Sequence, residues 1–127
     1  MTRRRVKVFF DGGARPNPGP SEAAVVVRGE VHLFDDPTRV DNSDAEWRAL
    51  LHALELSQKL GLTDVELIGD AREIIDKANL ALTTGIATNP HAARLLALAA
   101  ESPPARIGWI KREQNLAGIA LAKRHPR

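Results

Sequence analysis

The chain has 127 residues, of which 43% are hydrophobic and 27% charged, and this size predicts one domain over residues 1–127 with a single core. It contains no cysteine, which excludes disulfides and thiolate metal sites and leads us to expect a cytoplasmic protein. No apolar run approaches the roughly 18 residues of a membrane span. The apolar stretch after the basic residues 3–5 is too short for a signal peptide, so we expect no membrane partner.

Three strands are predicted in the first forty residues. Residues 3–10 alternate in polarity, residues 23–28 form an apolar run, and residues 31–40 form a third strand with an interruption at 35–37. Because the two residues Gly29-Glu30 form a turn between the second and third strands, we expect an antiparallel meander.

An amphipathic helix follows over about residues 44–60, where apolar residues recur at three- and four-residue steps. Asn42 or Ser43 is expected to cap it, and Ser43 with Glu46 matches a capping box. Gly61 ends it.

Strands and helices alternate in the rest of the chain. We predict strands at residues 65–69 and 106–110, and helices at about 71–81, 90–100 and 115–123. The meander implies antiparallel pairing for the first three strands, and the helical crossovers imply parallel pairing for the later ones. The predicted fold is therefore α/β of mixed α+β character, with a five-stranded mixed sheet flanked by helices.

Three acidic residues fall at the ends of predicted elements. Asp11 ends the first strand and opens a Gly- and Pro-rich turn, Asp70 ends the fourth strand, and Glu46 lies in the first turn of the first helix. If strands one and four are parallel neighbours, the two Asp side chains emerge together at the edge where α/β sheets bind ligands. Clustered carboxylates without Cys or His suit Mg²⁺ or Mn²⁺, and two such ions support phosphodiester cleavage.

Each acid also has a purely structural explanation. Asp11 could belong to an ordinary hairpin turn, Glu46 could complement the helix dipole, and Asp70 could be the N-cap of the second helix.

Taken together, the motifs resemble the type 1 ribonuclease H family, in a short form without its N-terminal hybrid-binding module. The resemblance is carried by residues 10–13 with 17–20, 42–46, 69–70, and 109–115 with 121–122. It implies the ribonuclease H-like fold and hydrolysis of the RNA strand of RNA–DNA hybrids with two Mg²⁺ ions, Mn²⁺ being possible. It further implies that Asp11, Glu46 and Asp70 are the catalytic metal ligands, with Asp11 between the ions.

The same resemblance implies a set of substrate-binding residues. These are Gly12, Gly13, Asn17, Asn42, Ser43, Arg72 and Arg112. The backbone at Gly12 and the polar side chains of the set would line the minor groove, where a hybrid is recognised by its shape and 2′-hydroxyls. The two arginines could reach phosphates.

The sequence departs from the family at the fourth acid, an Asp four residues after the position of Asn115. Ile119 stands there, and Glu113 is the nearest acid. Either three carboxylates suffice, with water or Glu113 in the vacant position, or the chain is a weak or inactive module that binds hybrids or double-stranded RNA. An integrase- or resolvase-type nuclease is a third alternative, disfavoured by the turn at 17–20. We expect a monomer by default.

Several other residues have expected locations. Trp47 and Trp109 are expected to pack in the core, and His52 on the surface. The net charge of +2 is uneven, because residues 77–127 carry 8 basic and 2 acidic side chains. The best candidate basic patch comprises Lys111, Arg112, Lys123 and Arg124. This patch could face a polyanion, or its charges could simply be solvated.

Overall fold

The computed structural model describes residues 5–125, which form one five-stranded sheet and four helices. The elements in chain order are β1 (Val6–Ala14), β2 (Gly19–Val27), β3 (Glu30–Val40), α1 (Asn42–Lys59), β4 (Val65–Gly69), α2 (Arg72–Thr84), α3 (Pro90–Glu101), β5 (Arg106–Trp109) and α4 (Leu116–Lys123). None of the helices in this part of the chain has the length and apolar character needed to cross a membrane.

The sheet has the order β3-β2-β1-β4-β5. The pairs β1–β2 and β2–β3 are antiparallel, while β1–β4 and β4–β5 are parallel. This confirms the predicted mixed sheet, with hairpins joining the first three strands and helices crossing over between the later ones.

The predicted end of the first strand is wrong. The strand does not stop before Asp11 but continues to Ala14, since Asp11 pairs with Ala24 and Gly13 with Glu22 on β2. Parallel pairing with β4 ends at Phe9–Ile68, so β1 extends beyond β4 while β2 still supplies hydrogen-bond partners. The second strand was predicted over residues 23–28 and is longer at its N-terminal end, Gly19–Val27, because it pairs with the extended part of β1.

The predicted interruption of the third strand appears as a bulge: β3 continues through Pro37 as one strand, but its pairing with β2 shifts register there, from Ser21–Asp36 to Pro20–Arg39. Proline removes one backbone donor, and an edge strand tolerates that loss on its unpaired side. β3 is an edge strand here, since it pairs only with β2 within the described sheet.

The main core lies on one side of the sheet, under α1, α2 and α3. Its largest fully buried side chains include Phe10, Leu50, Leu54, Leu67 and Leu95. The other side carries a small cluster in which Ala24 and Val26 meet Ala117 and Leu121 of α4. The α4 helix therefore lies across the sheet on the face from which Asp11 projects.

Two side-chain locations differ from the predictions. Trp109 is 43% exposed because β5 is the second edge strand, so the prediction of a core residue is wrong. His52 is half-buried and stacks on Phe34 with ring centroids 4.2 Å apart, and burial lowers its pKa. Trp47 packs in the core as predicted, with 4% of its surface exposed.

Candidate active site

Strand register brings the two aspartates together. The last parallel pair joins Phe9 of β1 to Ile68 of β4, and Asp11 and Asp70 each follow two residues later. Because alternate residues of a strand face the same side of the sheet, both side chains project beside each other at the end of β4. Gly69 allows this approach, since a Cβ there would lie 2.5 Å from the Phe10 ring. The predicted convergence is confirmed at this edge.

Glu46 reaches the site from the second turn of α1, because the helix begins at Asn42, two residues before its predicted start. Its Oε1 accepts a hydrogen bond of 3.1 Å from the backbone N–H of Gly12. The predicted capping box is wrong, because this side chain points at β1, and Asp41 caps α1 by accepting from the N–H of Asp44 at 2.8 Å. Asp70 is not a cap either: α2 has Ala71 at its N-cap, with no side-chain hydrogen bond.

The close contact between β1 and α1 requires glycine at position 12. A Cβ on Gly12 would lie 2.3 Å from the carbonyl oxygen of Ala45, whereas a Cβ on Gly13 would meet nothing within 4 Å. Gly12→Ala is therefore expected to destabilise the fold by about 2–3 kcal/mol through overpacking. Gly13→Ala is the matched control and should change stability by less than about 0.5 kcal/mol. Urea unfolding of both variants measures this, and equal losses would contradict it.

The three acids form one group. One oxygen from each of Asp11, Glu46 and Asp70 lies within 4.8 Å of the others. Burial, reinforced by the negative charge of Asp70, raises the pKa of Asp11 to about 6. Burial, reinforced by the charge of Asp11, raises the pKa of Glu46 to about 9. The site therefore resists holding three negative charges by itself.

The electrostatics and donor set fit a hard divalent cation. The Oε2 atom of Glu46 is buried and has no hydrogen-bond partner among residues 5–125. An unpartnered buried oxygen beside two further carboxylates suits Mg²⁺ or Mn²⁺, which prefer oxygen ligands.

Asn115 stabilises the site from the N-terminus of α4. Its side chain is fully buried and donates to the backbone oxygen of Phe10 at 3.0 Å and to Oδ2 of Asp70 at 2.8 Å. Its Oδ1 accepts from the N–H of Ala117 at 3.1 Å. Asn115 belongs to the motif at 109–115, but its contact with Asp70 was not predicted; the available signal was an Asn just before a helix.

The predicted groove residues connect the β1–β2 turn to α1. Asn17 Oδ1 accepts from the N–H of Asn42 at 3.1 Å, and Asn42 Oδ1 accepts from the N–H of Ala14 at 2.9 Å. Gly12 is buried and its N–H is engaged by Glu46, so this N–H is not free for a substrate. Ser43 is exposed in the first turn of α1.

The two predicted arginines are related to Asp70 in different ways. Arg112 is 88% exposed at its side chain, and its Nε is 3.9 Å from Asp70 Oδ1. The guanidinium carbon of Arg72 lies 4.2 Å from the ring centroid of Trp109. The indole Nε1 of Trp109 in turn donates to the backbone oxygen of Asp70 at 3.1 Å.

The fourth acidic position remains without a carboxylate. Ile119 lines the same cavity as the three acids and is 40% exposed, while the residue before it, Gly118, faces Asp11 more directly. Glu113 is exposed in the preceding turn and is not among the carboxylates that converge in the described part of the chain.

A different acid, Glu22, lines the cavity and was missed. It lies on β2 opposite Gly13, so it shares a sheet face with Asp11. Its carboxylate has two basic side chains beside it: Arg124 lies at 3.4 Å and His125 Nε2 at 2.8 Å. Arg124 also binds Asp35 through two hydrogen bonds of 2.9 and 3.2 Å, so it is not a free member of the predicted basic patch.

Residues 9–125 match the reverse transcriptase-like family. The matched range includes nearly all of the fold and the site described above. The chain belongs to this family and is a ribonuclease H-like domain. It is 38% identical over 78 residues to Ribonuclease HI of Halobacterium salinarum, covering 58% of this chain and 39% of that protein. It is 32% identical over 79 residues to a bifunctional protein of Mycobacterium tuberculosis, covering 58% of the chain and 22% of that protein. The matched stretch thus covers less than half of the length of either relative.

Solved structures have the same fold. The N-terminal RNase H domain of the Mycobacterium tuberculosis protein superposes with a TM-score of 0.68 and 26% identity, covering 98% of this chain and 100% of that one. RNase H1 of Halobacterium salinarum superposes with a TM-score of 0.67 and 29% identity, covering 94% and 99%. LC11-RNase H1 in complex with an RNA/DNA hybrid gives a TM-score of 0.67 and 26% identity, covering 88% and 89%. The predicted ribonuclease H-like fold is confirmed.

Proposed function

We propose that this domain is a metal-dependent endonuclease that hydrolyses the RNA strand of RNA–DNA hybrids. The observation that carries the proposal is the convergence of Asp11, Glu46 and Asp70, whose oxygens lie within 4.8 Å of one another. Support comes from the halobacterial relative named Ribonuclease HI and from LC11-RNase H1, whose structure contains an RNA/DNA hybrid.

The three carboxylates would hold the cations, and we propose two Mg²⁺ ions, with Mn²⁺ as a substitute. Such ions supply Lewis-acid stabilisation of the charge that develops on the phosphodiester and generate a nucleophile from water. The protein keeps the ligands in place: the N–H of Gly12 orients Glu46, and the amide of Asn115 orients Asp70. Both contacts come from buried groups, which favours a preorganised site.

Substrate recognition is proposed to involve both sides of this centre. Arg112, largely exposed beside Asp70, would contact a phosphate. On the other side, the hydrogen bonds between Asn17, Asn42 and Ala14 hold the β1–β2 turn against α1. Small and polar residues there would approach the 2′-hydroxyls by which a hybrid differs from DNA.

The decisive test is cleavage of end-labelled substrates by the purified domain with Mg²⁺ or Mn²⁺. We expect cuts in the RNA strand of a hybrid, leaving 5′-phosphate and 3′-hydroxyl ends, and no cuts in duplex or branched DNA. A parallel gel-shift arm with the hybrid and with double-stranded RNA measures whether each is bound. Hybrid binding without products in either metal would instead support a binding module and contradict the enzyme.

Introducing a carboxylate at position 119 tests whether the missing acid limits the enzyme. Ile119→Asp is expected to lower the Mg²⁺ concentration for half-maximal cleavage by about 5–10-fold, because cation affinity rises with the number of charged ligands. Ile119→Asn is the matched control, since it has the same shape without the charge. Metal titration of the cleavage rate measures both variants. An equal change in the two variants would show that polarity, and not a new ligand, is responsible.

We further propose that the domain acts as a monomer in the cytoplasm. The absence of cysteine from the sequence supports a reducing compartment. Light scattering of the purified protein tests the oligomeric state, and a dimer at micromolar concentration would contradict it.

A further inference from the structure

Trp109 has an unusual environment beside the proposed active site. It ends the edge strand β5, in register with Gly69 of β4, and 43% of it is exposed. The other tryptophan, Trp47, is only 4% exposed. A solvent-exposed indole beside the proposed catalytic residues suggests a ligand contact more strongly than an exposed aliphatic side chain does, because aromatic faces commonly contact ligands.

The indole is held in a defined position. Its Nε1 donates to the backbone oxygen of Asp70 at 3.1 Å, and the guanidinium carbon of Arg72 lies 4.2 Å from its ring centroid. This guanidinium–indole contact is a cation–π interaction, which keeps both groups near one orientation before any ligand arrives. Arg72 and Trp109 therefore form a preorganised exposed surface, which we call the Arg72–Trp109 platform.

The surroundings of the platform are cationic. Arg112 is 88% exposed at its side chain and lies 3.9 Å from Asp70. Lys111 and Arg72 are also exposed. An aromatic face bordered by cations is the combination that binds single-stranded nucleic acid, where bases stack and phosphates meet positive charge.

We propose that the Arg72–Trp109 platform stacks an unpaired nucleotide that flanks the hybrid, while Arg112 contacts an adjacent phosphate. This inference rests on the proposed function and defines its substrate class as hybrids that continue into a single strand. Bases within a duplex are stacked on one another and present only their edges, whereas an unpaired base presents its face. A planar platform is therefore expected to bind the bases of a single-stranded extension in preference to the paired bases of the hybrid.

The test compares a blunt hybrid with the same hybrid carrying a short single-stranded extension, placed in turn at each end of each strand. Binding is measured by fluorescence anisotropy in the Asp11→Asn background, so that substrate is not consumed. At least one extension should tighten binding about 10-fold, the typical effect of one stacked base. Trp109→Leu and Arg72→Ala should each reduce this gain to less than about 2-fold, whereas Trp109→Phe, which keeps an aromatic plane, should preserve most of it.

Controls separate stacking from a structural effect. Leu80→Ala removes another exposed apolar side chain, 63% exposed on α2, and should leave the gain unchanged. Arg72→Ala leaves β5 intact, so it tests the platform even if Trp109→Leu fails to fold. Emission from Trp109 should be quenched by the extended hybrid, and Trp109→Phe should abolish that quenching.

Two results would contradict the proposal that the Arg72–Trp109 platform stacks an unpaired nucleotide. One is an absence of any gain from all four extensions. The other is an equal loss of affinity for blunt and extended hybrids in the Trp109 and Arg72 variants, since that pattern means these residues act by positioning Asp70. Absence of binding to every hybrid would overturn the proposed function as well, whereas hybrid binding without a gain overturns the platform alone.

Discussion

Replacing Asp11 with Asn is expected to lower hybrid cleavage by roughly 10³-fold or more, the loss typical of removing a group that stabilises transition-state charge. Asp11 interacts with both other acids: its charge raises the pKa of Glu46, and the charge of Asp70 raises its own. An amide keeps the shape of the side chain but removes the charge that a shared cation requires. Initial rates on a labelled hybrid at saturating Mg²⁺ measure the loss.

Asp76→Asn is the matched control, because Asp76 is an exposed aspartate on α2 outside the cavity. It should retain the full rate. If Asp11→Asn keeps measurable cleavage at the level of this control, the activity comes from a contaminant or another site, and the assignment of the three acids is wrong.

The second large effect concerns stability without metal. Glu46 has a pKa of about 9 in the folded protein, raised by burial and by the charge of Asp11, compared with 4.5 for an ordinary Glu. Between these values the folded state holds a proton that the unfolded state releases. The contribution of Glu46 to stability is therefore fully present below pH 4.5, declines as the pH rises, and is lost above pH 9.

Glu46→Gln should remove this decline. In metal-free buffer at pH 9 the variant is expected to exceed the unaltered protein in unfolding free energy by up to about 6 kcal/mol, since each pKa unit corresponds to about 1.36 kcal/mol, with little difference near pH 4. Gln can still accept the hydrogen bond that Glu46 accepts from Gly12. Added Mg²⁺ should stabilise the unaltered protein more than the variant, since the variant lacks one ligand charge. Cleavage by the variant should be strongly reduced.

Urea unfolding across this pH range, with and without Mg²⁺, measures the effect. Glu55→Gln provides the control, because Glu55 lies on the same helix with its side chain 46% exposed. Its stability profile should follow that of the unaltered protein. A Glu46→Gln variant that is less stable than the unaltered protein at high pH would show that the buried carboxylate is not under electrostatic strain.

Local patterns in the sequence were enough to predict most elements and the fold class. The alternation and apolar runs of the strands, the three- and four-residue steps of α1, and Pro90 at the start of α3 are local signals whose physical causes lie within one element. The meeting of Asp11 and Asp70 was predicted on the condition that strands one and four are parallel neighbours, and the resemblance to the type 1 ribonuclease H family implied the full set with Glu46.

The tertiary structure decided what depends on partners far along the chain. The extension of β1 beyond Asp11 depends on β2, which supplies hydrogen bonds after β4 has ended. Trp109 is exposed at the end of the edge strand β5. The position of a strand in the sheet cannot be predicted from the apolar character of one residue. Glu46 likewise belongs to the site and not to a capping box, because Gly12 lets α1 approach β1 closely.

The sequence alone thus determined which acids could meet and on what kind of sheet, because hydrophobic periodicity and turn residues act over a few positions. Only the packed structure determined how those acids are held: Asn115 beside Asp70, a buried oxygen of Glu46 without a partner, and the guanidinium of Arg72 over an exposed indole. These features arise from groups that are 30 or more residues apart in the sequence. Such groups become buried, repel one another or form hydrogen bonds only once the chain has folded.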